Sequence, residues 1–463
     1  MIKVIVSALS LTMLPVTTGQ ASDSSTPAPF VSGDRWGVLG DSITRSGQYH
    51  RYIELFYLTR FPSMSLEVIN CGISGDTAHG ALQRLQWDCL EAKPTVVSIM
   101  LGMNDVRPAL YNPDNLPSDV EIQRAKAAET YKSSMQKLTE CLVAAGVKVI
   151  LITPSIFDDT AELPRKNSPG CGAALAAFAD RVREIAREFK TALVDFNAVM
   201  TSINLTRQKT NPGFTIVGGD RIHPTAPGHF VMAYEFLRAQ GLDGPVSRIE
   251  VDAASGQTGV LQNCEVKDLK IQSGRVVFTS QENSLPFPVE AAASSALELV
   301  PFMQEFNRQI VAVRGLDPGD YTLKIDDQEI GKFAAEQLAE GVDLAGRADT
   351  PQAKQAAEVL AALGKKWDVV ARLRNIAVCE HAAWPDAARP IDPAEMQAKL
   401  DARAKRAGNN PSVNEAHSQY LVDKPREADF RAEAAQAAET ARLLAQPKPH
   451  TFTIERVGIQ PVE

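Results

Sequence analysis

The chain has 463 residues, of which 44% are hydrophobic and 22% are charged. This composition is typical of a globular protein with ample material for a core, and it excludes disorder over most of the chain. The 48 Lys and Arg residues against 56 Asp and Glu residues give a formal net charge of −8. No basic run is long enough to follow a phosphate backbone, so we expect no nucleic-acid partner.

The first 21 residues have the pattern of a cleaved signal peptide. Lys3 provides a positive start, residues 4–16 are mainly apolar, and residues 19–21 (Gly-Gln-Ala) provide a small-residue cleavage position. The alternative is a buried N-terminal strand or helix. The apolar stretch is too short to cross a bilayer comfortably, and no other run approaches about 20 apolar residues. We therefore predict an exported protein, periplasmic or secreted, without a membrane anchor.

Between residues 35 and 241, short apolar runs alternate with amphipathic stretches. Strands are predicted at residues 36–39, 66–70, 95–101, 147–153 and 192–196. Helices are predicted at residues 47–59, 79–91, 121–145, 173–190 and 226–239. Short β-branched runs joined by helices indicate parallel strands with crossover helices, which is an α/β sandwich. Functional groups in such sheets lie at the carboxyl ends of the strands.

Beyond residue 244 the pattern changes to short strands with turn signals. These strands are predicted at residues 248–251, 269–271, 275–279, 309–313 and 321–325, and they indicate a small β domain. From about residue 333 the chain becomes rich in Ala, Glu and Lys, with helices predicted at residues 352–363, 368–375, 393–406 and 427–444 and a returning strand at 451–456. The predicted organisation is a signal peptide (1–21), an α/β domain (22–244), a small β domain (245–332) and a helical extension with a final strand (333–463).

Six cysteines are scattered along the chain, at Cys71, Cys89, Cys141, Cys171, Cys264 and Cys379. None belongs to a Cys-x-x-Cys pair, so we expect no structural zinc site. One or two disulfides can form in an oxidising compartment, and Cys71 with Cys89 is the candidate pair. Sequence alone does not fix the connectivity.

Four polar clusters each follow a predicted strand or turn, and the first is Gly-Asp-Ser-Ile at residues 40–43. A serine at a strand-to-helix turn can expose its hydroxyl at the edge of the sheet, and the backbone N–H of Ser42 points into the same space. The alternative is that Ser42 only caps the helix.

The second and third clusters offer hydrogen-bond donors. Residues 70–76 (NCGISGD) form a glycine loop in which the N–H of Gly75 can donate to an oxyanion, although a plain turn is the alternative. Ser74 is a rival nucleophile, but its surroundings lack the final glycine of a nucleophile elbow. In the Gly-Met-Asn-Asp turn at residues 102–105, the Asn104 amide is a neutral donor suited to a developing negative oxygen. We expect Asp105 to hold this loop together.

The fourth cluster is Asp-Arg-Ile-His-Pro at residues 220–224. Residues three apart in a turn lie on one side, so Asp220 can accept from one nitrogen of His223 while the other nitrogen faces the serine. His229 has no carboxylate at such a spacing, and we expect it to be structural.

In this order the four motifs resemble those of the SGNH (GDSL-type) hydrolase family, here an exported bacterial esterase with an appended C-terminal domain. The resemblance covers about residues 35–241 and implies a flavodoxin-like three-layer α/β/α sandwich, with residues 22–244 as the catalytic domain. It implies Ser42 as the nucleophile, His223 as the general base and acid, and Asp220 as the orienting carboxylate. The implied oxyanion hole comprises the N–H groups of Ser42 and Gly75 and the side chain of Asn104. Neither a metal nor an organic cofactor is required.

The family contains carbohydrate acetylesterases, lipases, thioesterases and phospholipid-acting enzymes. We favour a serine esterase that removes O-acetyl groups from carbohydrate, because the chain is predicted to be exported and residues 101–106 resemble exported members implicated in polysaccharide breakdown. The appended β domain can also bring an enzyme to a polymer. The alternatives are a lipase or thioesterase acting on longer acyl chains, and a non-catalytic glycan-binding protein. The expected partner is a small-molecule or polysaccharide ester, and the oligomeric state stays open.

Overall fold

The computed structural model describes residues 26–385, 391–408 and 410–458. The predicted signal peptide at residues 1–21 lies outside the described residues. Within the described ranges, no helix combines the length and the apolar character needed to span a membrane.

A five-stranded parallel sheet forms the centre of the first half of the chain. Its strands are β1 (Asp34–Gly40), β2 (Leu66–Gly72), β3 (Val96–Met100), β4 (Lys148–Ile152) and β5 (Ala192–Val194). They lie in the order β2-β1-β3-β4-β5, and every neighbouring pair is parallel. This is the flavodoxin-like strand order, so the predicted fold class is confirmed.

Helices cover both faces of this sheet. They are α1 (Ser42–Arg45), α2 (Gln48–Arg60), α3 (Ala78–Asp88), α4 (Val120–Ala144), α5 (Cys171–Phe189), α6 (Phe196–Gln208) and α7 (Ala226–Ala239). Because successive strand residues point to opposite faces, Val38 packs into the core shared with α2 and α7, whereas Leu39 packs into the core shared with α3, α4 and α5. The sheet is therefore the middle of three layers.

Helix α6 corrects the predicted strand at residues 192–196. The strand ends at Val194, because the side chain of Asp195 accepts a hydrogen bond from the backbone N–H of Ala198 and caps α6. Aspartate is a common residue at the start of a helix, but Asp195 lies within a short apolar run that was interpreted as one strand.

Two sheets make up the β region that follows. The strands are β6 (Ser247–Asp252), β7 (Gln257–Gln262), β8 (Cys264–Gln272), β9 (Arg275–Glu282), β10 (Gln309–Arg314), β11 (Asp320–Ile325), β12 (Gln328–Ala334), β13 (Val342–Asp343) and β14 (His450–Arg456), with α8 (Phe302–Phe306) and α9 (Ala335–Glu340) between them. One sheet has the order β13-β10-β6-β7 and the other β12-β11-β14-β9-β8. The predicted returning strand is confirmed as β14, which pairs with both β9 and β11.

Between β13 and β14, the described part of the chain forms the helices α10 (Pro351–Ala383), α11 (Pro393–Ala407), α12 (Pro411–Asp423) and α13 (Glu427–Leu444). The prediction of two helices at residues 352–363 and 368–375 is wrong, because α10 runs through both. The charged residues between them do not interrupt it, since Lys366 is buried in an ion pair with Glu54 of α2. Helix α10 packs against α13 and contacts α2 and β2 of the first half.

The predicted disulfide between Cys71 and Cys89 is wrong. All six cysteines lie in the described ranges, and all six are free thiols. The Sγ of Cys71 instead donates to the backbone oxygen of Asp88 at 3.3 Å, in a buried position.

Candidate active site

Ser42 lies at the turn between β1 and α1. The side chain of Asp41 accepts from the backbone N–H of Ile43 at 2.9 Å, so Asp41 caps the helix and Ser42 does not. The N–H of Ser42, in the first turn of α1, has no acceptor within the helix. The turn needs glycine before it, because a Cβ on Gly40 would lie 2.2 Å from Oγ1 of Thr44.

The structure brings the three predicted catalytic side chains into one hydrogen-bonded chain. Ser42 Oγ lies 2.8 Å from Nε2 of His223, and Nδ1 of His223 lies 2.5 Å from Oδ2 of Asp220. The other carboxylate oxygen of Asp220 accepts from the backbone N–H groups of Ile222 and His223, both at 3.0 Å. This arrangement lets the imidazole take a proton from the serine while the carboxylate holds its tautomer. The side chain of His223 is 48% exposed, so the site is open.

The environment of Asp220 keeps its carboxyl charged. Its partial burial acts to raise the pKa, but hydrogen bonds from the His223 ring and from two backbone N–H groups outweigh this and hold the pKa below its ordinary value. A charged carboxylate is what stabilises an imidazolium as it forms on His223.

The predicted oxyanion donors gather at the same end of the sheet. The N–H of Ile73 donates to the backbone oxygen of Gly40 at 3.0 Å, which fastens the glycine loop to the end of β1. Gly75 is exposed and has a φ of +79°, a conformation that favours glycine. The Asn104 amide donates to the backbone oxygen of Asp76 at 2.9 Å, which places Asn104 beside Gly75.

The rival nucleophile and the second histidine have structural surroundings. Ser74 Oγ accepts from the Arg45 guanidinium at 2.9 Å. His229 is buried and stacks on Tyr49 with the ring planes 4° apart. Burial lowers the pKa of His229 to about 3, so it stays neutral.

Sequence reasoning missed a buried ion-pair network below the glycine loop. Arg84 is fully buried, lies 2.7 Å from Asp76 and also pairs with Asp88. It donates to the backbone oxygen of Gly40 at 3.1 Å, so it also holds the end of β1. The spacing of four residues between Arg84 and Asp88 on α3 was a usable signal. Arg374 of α10 completes the network on Asp88, and no local pattern connects these two distant residues.

A second missed residue, Arg221, fixes the turn that carries the dyad of Asp220 and His223. It has a φ of +70° and its side chain is buried. Its guanidinium donates to a ring of backbone oxygens, those of Asp158, Ala161, Leu163 and Arg165. The turn is therefore held by one side chain directed away from the site.

Two further carboxyls near the serine, those of Asp41 and Asp105, are buried. Burial raises the pKa of Asp41 to about 6 and that of Asp105 to about 7. Asp105 accepts from the backbone N–H of Ala78 at 2.9 Å, which confirms the expectation that it holds the loop.

A cavity of 240 Å³ adjoins Asp220 and Ile222. It has a mixed polar and apolar lining that includes Asn112, Phe157, Arg165, Asn167 and Ser168. Across the residues with assigned positions, no cluster of three or more His, Cys, Asp or Glu side chains is arranged to hold a metal ion.

Comparison with known proteins gives matches to both halves of the chain. The GDSL-like Lipase/Acylhydrolase family profile matches residues 38–230. An acetylxylan esterase from Geobacillus stearothermophilus is 27% identical over 235 residues, which is 47% of this chain and 98% of that enzyme. The solved structure of a gut microbial diltiazem-metabolizing enzyme is 28% identical, with a TM-score of 0.87 over 94% of this chain and 100% of that one. The crystal structure of the Geobacillus stearothermophilus acetylxylan esterase is 26% identical, covers 46% of this chain and 96% of its own, and has a TM-score of 0.38.

The matched region, residues 38–230, contains all the candidate site residues: Ser42, Gly75, Asn104, Asp220 and His223. The similarity to the gut microbial enzyme extends over the β and helical regions as well, so the two chains share one architecture. The strand order, the motifs at the strand ends and the profile match identify residues 38–230 as a GDSL-like hydrolase region, and together with the acetylxylan esterase match they support a carboxylic ester hydrolase.

Proposed function

We propose that the protein is a serine esterase that works through an acyl-enzyme on Ser42 and removes O-acetyl groups from carbohydrate. The observation that carries the proposal is the hydrogen-bonded chain from Ser42 through His223 to Asp220. A serine with an imidazole at hydrogen-bond distance, itself oriented by a carboxylate, is the arrangement that activates a hydroxyl for acyl transfer.

The reaction proceeds in two halves. Ser42 Oγ attacks the ester carbonyl while its proton passes to Nε2 of His223, and the tetrahedral oxyanion accepts from the N–H groups of Ser42 and Gly75 and from the Asn104 amide. The intermediate collapses, and the leaving alcohol takes the proton from His223. Water then attacks the acyl-enzyme with His223 as base, which releases the acid and restores Ser42.

Two observations favour an acetylated carbohydrate. The Geobacillus stearothermophilus relative is named an acetylxylan esterase. The lining of the cavity beside Asp220 includes the amide of Asn112 and the hydroxyl of Ser168, which suit an alcohol rich in hydroxyl groups. Export through cleavage after residue 21, and a catalytic domain at residues 22–244 followed by a β domain (245–332) and a helical extension (333–463), are part of the same proposal.

The test is hydrolysis of p-nitrophenyl esters from acetyl to dodecanoyl, together with release of acetate from acetylated xylooligosaccharides. We expect a preference for acetyl, and a loss of at least about 10³-fold in kcat for Ser42→Ala and for His223→Ala. Ser133→Ala, an exposed hydroxyl on α4, is the matched control and keeps full activity.

Each other result identifies a different function. A preference for long acyl chains, lost in Ser42→Ala, would replace the carbohydrate proposal by a lipase or thioesterase. Retained hydrolysis in Ser42→Ala would remove Ser42 as the nucleophile. No hydrolysis of any ester, with no covalent labelling of Ser42 by a fluorophosphonate, would indicate the glycan-binding alternative.

A further inference from the structure

Helix α10 reaches from the C-terminal half of the chain to the back of the glycine loop. Arg374 on this helix is only 7% exposed, and its Nε donates to the backbone oxygen of Gly72 at 2.7 Å. The two terminal nitrogens of the same guanidinium donate hydrogen bonds to the two carboxylate oxygens of Asp88, at 2.6 and 2.7 Å. A guanidinium that binds a carboxylate with two parallel bonds is fixed in orientation as well as in place.

From Asp88 the contacts continue to the amide of Asn104. Asp88 also pairs with Arg84, and Arg84 donates to the carboxylate of Asp76 at 2.7 Å. The backbone oxygen of Asp76 then accepts from Asn104 at 2.9 Å. Buried ion pairs therefore link α10 to Asp76, and a hydrogen bond from Asn104 to the backbone oxygen of Asp76 continues the contacts to one of the proposed oxyanion donors.

A second branch leads from α10 to the other side of the loop. Asn375, the residue after Arg374, accepts from the Arg45 guanidinium through its Oδ1. Arg45 also donates to Oγ of Ser74 at 2.9 Å, and Ser74 immediately precedes Gly75. The loop that carries the Gly75 N–H is thus held at Gly72 by Arg374 and at Ser74 through Arg45 and Asn375.

We propose that Arg374 and Asn375 are positioning residues for the oxyanion hole, so that the helical extension is part of the catalytic apparatus. This inference rests on the proposed function of Ser42. Donors stabilise the oxyanion only when they are fixed where charge develops, and Gly75, with its open surroundings and positive φ, has little of its own to fix it.

Charge balance gives an independent reason. The network pairs two carboxylates, Asp76 and Asp88, with two guanidinium groups, those of Arg84 and Arg374. Removing Arg374 leaves one uncompensated negative charge buried below the place where the oxyanion forms. That charge opposes the transition state more than the neutral ground-state ester.

Arg374→Met is the direct test, with kcat and KM measured on the best acetyl ester. We expect kcat to fall about 10- to 100-fold, less than the loss of a whole oxyanion donor, and KM to change less than about threefold. Arg374→Lys keeps the charge beside Asp88 but not the forked bonds, so we expect it to recover part of kcat. Asn375→Ala tests the second branch without removing a charge, and we expect a smaller fall in kcat with the same unchanged KM.

The matched control is Lys366→Met on the same helix. Lys366 is also 7% exposed, and its ammonium lies 2.5 Å from Glu54 of α2, which is not part of the glycine loop. Both substitutions break a buried ion pair between α10 and the first half of the chain, so both lower the unfolding temperature. Only Arg374→Met is expected to lower kcat when each variant is assayed well below its unfolding temperature.

Combination with Asn104→Ala separates positioning from general destabilisation. If Arg374 acts through the oxyanion hole, the double variant loses less kcat than the product of the two single losses, whereas Lys366→Met combines multiplicatively with Asn104→Ala. Multiplicative losses for Arg374→Met, or a kcat no lower than that of Lys366→Met, would overturn the inference. If Arg374→Met does not fold, the same comparison is made with Asn375→Ala, and an unchanged kcat there overturns it. An active Ser42→Ala would instead refute the proposed function itself.

Discussion

The three aspartates around Ser42 differ in the direction in which their surroundings shift the pKa. Hydrogen bonds from His223 and the backbone hold the pKa of Asp220 below its ordinary value against the effect of its partial burial. Burial without a cationic partner raises the pKa of Asp41 to about 6 and that of Asp105 to about 7. Near neutral pH the carboxylate that contacts the imidazole, Asp220, is therefore fully charged, whereas Asp41 and Asp105 have pKa values close to the ambient pH.

The raised pKa of Asp105 makes stability depend on pH. Because the folded state binds its proton more tightly than the unfolded state, the associated stabilisation is complete below the ordinary pKa of about 3.8 and is lost as the pH rises through about 7. Asp105→Asn keeps the oxygen that accepts from Ala78 but cannot ionise. We expect its free energy of unfolding, relative to that of the native protein, to be higher at about pH 8 than at about pH 5, so that the variant gains relative stability as the pH rises. Urea unfolding at the two pH values measures this difference.

The control for this prediction is Asp180→Asn on α5, whose native carboxylate is 69% exposed. It removes an exposed carboxylate and leaves the buried ones in place, so its effect on stability is expected to be the same at both pH values. An equal difference for Asp105→Asn at both pH values would show that Asp105 is charged throughout this range.

At the scale of the structural element, two glycines of one loop are required for different reasons. A Cβ on Gly72, at the end of β2, would lie 2.3 Å from the backbone nitrogen of Arg45 in α1, whereas a Cβ on Gly75 would meet nothing. We expect Gly72→Ala to lower the free energy of unfolding by several kcal/mol, on the order of severe overpacking, because two backbone segments must separate. Gly75→Ala is expected to cost only about 1 kcal/mol, from its positive φ.

Urea denaturation of the two variants measures both losses in the free energy of unfolding. Similar losses would contradict this account, because they would mean that the approach of β2 to α1 is no tighter than the open turn at Gly75.

The elements of the first half were predictable because each depends on local pattern. All five parallel strands were placed to within a few residues, and α7 was predicted with its observed bounds. Strands β7, β12 and β13 were missed: β7 is mostly exposed, β12 contains Gly331 within its pattern, and β13 has only two residues. The continuity of α10 was missed because it depends on the burial of Lys366 against Glu54, a contact that only the tertiary structure creates.

The same distinction applies to the candidate site. Asp220 and His223 are three residues apart, so the sequence itself indicates their pairing. Arg374 and Asp88 lie 286 residues apart, on helices α10 and α3 of different regions, and nothing in either local sequence predicts the contact. The candidate reacting side chains could be predicted from motifs, whereas the residues that hold them in place could not.

For the molecule as a whole, the chain order and the spatial order differ in the β region. Strand β14 comes after every helix in the described part of the chain, yet it lies in the middle of its sheet, between β11 and β9. Phe452 of this strand is fully buried and stacks on Phe278 at 5.2 Å. The helices α10 to α13 are thus inserted in the chain between the other strands of the β region and its central strand, β14.

A variant truncated after Pro449, which lacks β14, tests whether this strand is needed to stabilise the β region. It keeps the whole parallel sheet and every candidate site residue, but β9 and β11 lose their shared partner and the core loses Phe452 and Ile454. Burial of one large apolar side chain contributes about 3–5 kcal/mol, so we expect the β region to unfold at a clearly lower temperature or to be cleaved by protease. Thr451→Ala, at an exposed position of the same strand, is the control, and an unchanged melting temperature in the shortened chain would refute the prediction.

The position of β14 has a consequence for biosynthesis. The ribosome delivers the parallel sheet first, and that sheet can form while the rest of the chain is still being made. The sheet containing β14 cannot close until its central strand emerges, and until then β9 and β11 present unpaired edges. Premature termination between β11 and β14 therefore leaves a product with exposed strand edges, which the cell's chaperones and proteases can distinguish from the finished enzyme.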